Sequence, residues 1–148
     1  MYATIDEVYR PMSLRKIAIA VGLLLTAVAG AEPVQDIDNT QLQDLIAAGV
    51  PVIDVRTAGE WQQTGIIAGS HLMTFFDEQG KYDAQGWLQA LQRIAQPDQP
   101  VALICATGGR TKAIGQFLNT QVGYQQVYNV GEGIYAWMIA GHEVVPVE

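Results

Sequence analysis

The chain has 148 residues, a formal net charge of −7 and an apolar fraction of 49%. That is enough for one buried core and a short extension. The acidic balance excludes a protein that grips nucleic-acid phosphates with a basic stripe, and it argues against docking on anionic lipid.

The first segment in chain order reads as a leader. Arg10, Arg15 and Lys16 precede the apolar run Ile17 to Ala29, and Ala29-Gly30-Ala31 gives a small-x-small end before Glu32-Pro33. A basic start, a short apolar middle and such an end predict an export signal over residues 1–31. The run is shorter than the roughly 20 residues a spanning helix needs. An uncleaved membrane anchor is the alternative, and a lipid-anchored form is excluded because no cysteine lies near the cleavage point. Asp6 and Glu7 fit a signal poorly, whereas the segment from Met12 is complete as one, so Met12 is the expected true start. The leader predicts an exported, periplasmic protein with a single domain over residues 32–148 and no stable membrane association after cleavage. Export means an oxidising compartment, where paired cysteines act as staples. Here Cys105 is alone. It is therefore a free reactive thiol or half of an intermolecular bridge.

Strands and helices then alternate. Asn39 or Thr40 caps a helix over Gln41 to Gly49, and Pro51 opens the buried strand "PVIDV". "TAGEWQQTG" reads as a short helix and "HLMTF" as a strand. "AQGWLQALQRIA" places Trp87, Leu88, Leu91 and Ile94 at helical spacing. "PVALIC" is a strand, "TKAIGQFLNT" a helix starting at Thr111, "YQQVYNV" a strand and "GIYAWMIAG" a last helix. Short strands apolar on both faces, alternating with helices, predict an α/β domain with a mainly parallel sheet covered on both sides. Sites in such sheets lie at the carboxyl ends of the strands. Cys105 sits at such an end.

The residues after Cys105 are Ala106, Thr107, Gly108, Gly109 and Arg110. A thiolate is favoured by positive charge, by N–H donors and by a helix N-terminus. Gly108 and Gly109 let the backbone turn its N–H groups inward as an anion nest. The following helix points its positive end at the sulfur, and Arg110, with Lys112 nearby, adds charge. A buried strand cysteine followed by an ordinary glycine turn fits the same stretch, since free cysteine is among the most buried residue types. The stretch alone leaves both readings open.

Three segments together resemble the rhodanese family of sulfurtransferases. They are "VIDVRTAGEW" (Val52 to Trp61), "CATGGRT" (from Cys105) and "GYQQVYNVGEGIYAW" (Gly123 to Trp137), in the family's order and spacing. The resemblance covers about Asp36 to Val145. It implies a rhodanese-like parallel five-stranded sheet flanked by helices. It also implies a thiosulfate sulfurtransferase type of reaction: Cys105 takes sulfur from a small donor as a persulfide and passes it to a thiol or cyanide acceptor. The loop Ala106 to Arg110 would cradle that persulfide, with no metal or organic cofactor. Related phosphatases place their arginine one position further on than Arg110, so the resemblance favours sulfur over phosphate. A sulfur-carrier or binding module of low turnover, and a thiol redox sensor, are the rival functions.

Two departures stand out. Ile66 and Ala68 occupy positions where many relatives have histidine and proline, and "VGEG" (Val130 to Gly133) rearranges the usual closing motif. His71 reads as a strand-end or surface histidine. Asp54, Arg56 and Glu60 read as one ion-pair network pinning strand to helix. Trp61, Trp87 and Trp137 read as core or rim aromatics. His71 and His142 are too few and too far from Cys105 for a zinc cluster, and no nucleotide-binding glycine loop is present.

Overall fold

The computed structural model describes residues 32–147. The leader, its cleavage point and the start at Met12 lie outside the described residues. Five strands, β1 (Gln35–Ile37), β2 (Val52–Asp54), β3 (His71–Leu72), β4 (Val101–Ile104) and β5 (Val127–Val130), form one sheet in the order β1-β5-β4-β2-β3. Every pairing is parallel, with Gln35 beside Tyr128, Val101 beside Val127, Val52 beside Ala102 and Ile53 beside His71.

Strand alternation sorts the core into two layers. Ile53, Val55, Leu103 and Cys105 face one side, packed with Trp87, Leu91, Ile114 and Leu118. Val52, Ala102 and Ile104 face the other, packed with Leu42, Ile134 and Trp137. Helices α3 (Ala84–Leu91) and α4 (Gly109–Phe117) therefore cover the first face, and α1 (Asn39–Ala47) and α5 (Gly133–Ile139) the second. β4 is buried at all four residues, as expected of a central parallel strand covered on both faces. Each fully buried Leu or Ile contributes about 1.5–3 kcal/mol, so this layering is the main stabilising term.

The short helix α2 (Ala58–Thr64) follows β2 and buries none of its residues fully. Its start is a capping box: the Glu60 N–H donates to Thr57 Oγ1, and the Thr57 N–H donates to Glu60 Oε2 at 3.0 Å. The box fixes the position of Glu60.

Several local expectations change. The residues themselves signal four strands; the fifth, β1, has only Ile37 buried and no apolar run to announce it. α1 is capped by Asp38 rather than Asn39 or Thr40, because the Asp38 carboxylate accepts the Gln41 N–H at 2.8 Å. "HLMTF" forms a two-residue strand, with Met73 and Phe75 still donating to β2-side carbonyls. α3 stops at Leu91, where tighter turns begin. α4 begins at Gly109, two residues before the expected Thr111, and widens into a π-helical turn over Leu118–Val122.

Candidate active site

Cys105 follows the last residue of β4 and is 1% exposed. The chain then reverses over Ala106, Thr107 and Gly108 into α4. Gly108 carries the turn: its φ is +88°, and a Cβ there would collide with the Gly131 carbonyl. Gly109 is different. It is the first residue of α4, it has no positive φ, and a Cβ there would meet nothing within 4 Å. The expectation that both glycines shape the turn is thus corrected: Gly108 turns the backbone, and Gly109 starts the helix where a side chain would have room.

The loop carbonyls are tied off on the far side. The Ile134 N–H donates to the Cys105 carbonyl at 2.9 Å and the Tyr135 N–H to that of Ala106 at 3.3 Å. Both donors lie in the first turn of α5. Gly133, at φ +66°, allows this approach, since a Cβ there would strike the same two carbonyls. With its carbonyls held by α5, the loop turns N–H groups toward the sulfur. Gly108 N–H donates to Cys105 Sγ at 3.1 Å, and Thr111 Oγ1 lies 3.4 Å from it. Burial opposes ionisation of the thiol. Hydrogen bonding at the sulfur, which involves the Thr111 hydroxyl and the backbone of Thr111, Thr107 and Gly108, outweighs it, so the thiol lies below the ordinary cysteine value.

Arg110 leaves the first turn of α4 and meets Glu60 of α2 in a two-pronged ion pair, Nη1 to Oε2 at 2.9 Å and Nη2 to Oε1 at 2.5 Å. The Arg110 side chain lowers the Glu60 carboxyl to about 2, against the opposing effect of burial and with further help from Thr57. Arg110 is raised in turn, by Glu60 first and by the nearby Cys105 more weakly. Its charge is therefore engaged first by a fixed carboxylate. This divides the expected Asp54–Arg56–Glu60 network in two. Asp54 and Arg56 form a buried pair at 2.7 Å, with Arg56 also donating to Thr64 and the Gly65 carbonyl. Glu60 belongs to the loop.

Of the expected loop residues, Cys105 and Gly108 are buried, Ala106 and Arg110 half-buried, and Thr107 and Gly109 exposed. The structure brings all six together at one sheet end. Lys112 points away and pairs with Asp36 at 2.8 Å. His71 is exposed at the start of β3, and His142 stacks on Trp137. Trp87 and Trp137 are buried, their indole N–H groups donating to the Met73 and Glu143 carbonyls, and Trp61 is half-buried. Sequence reading missed Glu60, Thr111, Asn129 and Gly133 as parts of the site. The Thr57–Glu60 capping box was legible as T-x-x-E, but nothing local names Arg110 as its partner.

The sheet order and the thiol at the end of its central strand define the class, an α/β domain of rhodanese-like fold. A family model of the Rhodanese-like domain matches residues 38–140, and the chain belongs to that family. It is 29% identical over 112 residues to thiosulfate sulfurtransferase 18 of Arabidopsis thaliana, covering 73% of this chain and 81% of that one. It is similar to the crystal structure of a rhodanese-related protein from Thermoplasma volcanium, at 32% identity and a TM-score of 0.57, covering 75% of this chain and 97% of that one. The solution structure of the polysulfide-sulfur transferase homodimer of Wolinella succinogenes shares the fold at 20% identity and a TM-score of 0.58, covering 78% and 81%. Sulfur transfer is the activity that the names of the Arabidopsis and Wolinella relatives have in common.

Proposed function

We propose that this protein is a sulfurtransferase that carries sulfane sulfur on Cys105. The observation that carries the reading is the buried sulfur facing loop N–H groups at the end of β4, with a thiol below the ordinary cysteine value. In the first half-reaction the Cys105 thiolate attacks the outer sulfur of a donor such as thiosulfate. The donor's S–S bond breaks, its electron pair leaves with sulfite, and Cys105 holds a persulfide anion. In the second, a thiolate or cyanide attacks the terminal sulfur, and the Cys105 thiolate is regenerated as leaving group. The Ala106 to Arg110 backbone stabilises the anion at each stage as a preorganised set of dipoles. Arg110, neutralised in part by Glu60, acts locally on the donor and does not create a long-range cationic field.

The relatives' names support thiosulfate as a trial donor, and a polysulfide is the second donor to try. Intact mass after incubation with either donor tests the reading. A gain of one sulfur in the wild type, absent in Cys105→Ser, supports it. No adduct from either donor overturns it. Steady-state cyanide turnover then separates an enzyme from a slow carrier. The export reading of residues 1–31 is a separate proposal: fractionation should place the protein in the periplasm, and a wholly cytoplasmic product would refute it.

A further inference from the structure

Thr111 has one hydroxyl proton and three acceptors within reach. Its Oγ1 lies 2.6 Å from Asn129 Oδ1, 3.2 Å from the Gly108 carbonyl and 3.4 Å from Cys105 Sγ. All of this is buried, Thr111 at 0% and Asn129 at 1% exposure. The shortest contact is between two oxygens, so it requires the proton to lie between them. The Asn129 amide has its oxygen toward Thr111 for a visible reason. Its Nδ2 donates to Asp36 Oδ1 at 2.8 Å, and Lys112 Nζ donates to the other carboxylate oxygen at 2.8 Å. A flipped amide would set its oxygen against that carboxylate.

We propose that Asn129 is a positioning residue that draws the Thr111 proton away from the Cys105 sulfur, and that Asp36, backed by Lys112, holds Asn129 in that pose. Thr111 then presents a lone pair to the sulfur. It accepts the S–H of the resting thiol and withholds a donor from the thiolate. Ionisation proceeds on the loop amides alone, or it breaks the Thr111–Asn129 bond. The sole cysteine is thereby kept more protonated at rest than its loop would otherwise make it, which limits its attack on stray electrophiles. The proposal concerns the free thiol and is independent of the sulfur donor.

The charged groups around Cys105 come largely as pairs: Arg110 of α4 with Glu60 of α2, Lys112 of α4 with Asp36 of β1, and Arg56 with Asp54 at the end of β2. Glu132, which caps α5, is exposed. Asn129→Leu removes none of these charges but does remove the amide donor to Asp36, so the Thr111→Val background shows which part of its effect runs through the hydroxyl. Thiolate absorbance in the ultraviolet, followed against pH and corrected for the six tyrosines by subtracting the Cys105→Ser titration, reports Cys105 because the chain has one cysteine. Asn129→Leu should lower the thiol pKa by about one pH unit, the worth of one hydrogen bond to a charged group. Adding Thr111→Val should cancel that drop, and Thr111→Val alone should move the pKa little. The proposal is overturned if Asn129→Leu leaves the pKa unchanged or raises it. It is equally overturned if Thr111→Val alone raises the pKa by about a unit, because Thr111 would then already donate to the sulfur. Should Asn129→Leu fail to fold, Asp36→Ala at the exposed sheet edge releases the same amide. It should give a smaller drop that survives high salt; a drop that salt abolishes reports lost charge and refutes the proposal.

Discussion

Replacing Glu60 by glutamine tests the ion pair that anchors the loop. The glutamine side chain keeps the shape and the acceptor for the Thr57 N–H, and loses only the charge facing Arg110. The Glu60 carboxyl falls from 4.5 to about 2 on folding, which at 1.36 kcal/mol per pH unit sets a ceiling of about 3.4 kcal/mol. Side-chain exposure of 30% for Arg110 and 28% for Glu60 leaves the pair partly screened, so about 1–2 kcal/mol is the expected loss. For a domain of this size that is a fall in Tm of about 4–8 °C. The sign of the pH dependence follows from a depressed carboxylate: the stabilisation is full above 4.5 and disappears as pH falls toward 2. Thermal melts of wild type and Glu60→Gln, run across that range, should differ by a constant amount near neutrality and converge in acid. Equal melting temperatures at neutral pH, or a gap that persists undiminished at the acid end, would refute the assignment.

Two further substitutions probe the same loop. Arg110→Ala should slow sulfur loading from an anionic donor by about tenfold or more, the effect of one charge-assisted hydrogen bond, as read by stopped intact-mass time points. It should also lower Tm about as much as Glu60→Gln does, and the double variant should add little, because both changes remove one interaction; full additivity would contradict the pairing. Gly108→Ala should cost at least about 2 kcal/mol in urea unfolding, since φ is +88° and the Gly131 carbonyl blocks a Cβ. The shifted N–H should also raise the Cys105 thiol pKa, and a variant with normal stability and normal thiol would remove Gly108 from the site.

Local signals in the chain determined a good deal. The apolar runs at Val52 and Val101, each followed by helical spacing, required a parallel sheet with helices on both faces. The position of Cys105 at a strand end, one glycine turn before a helix, put the sulfur at the binding edge. These features are legible because periodicity and glycine act over a few residues. Tertiary structure decided the rest. β1 is a strand because β5 offers it an edge, and its own three residues carry almost no apolar signal. Glu60 pairs with Arg110 across 50 residues of sequence, and Asn129 with Asp36 across 93. Gly133 acquires its role only where α5 meets the loop carbonyls. Such partners are chosen by which strand ends the sheet order brings together. A sequence shows that a charged or small residue is present, and only the folded sheet shows what stands opposite it.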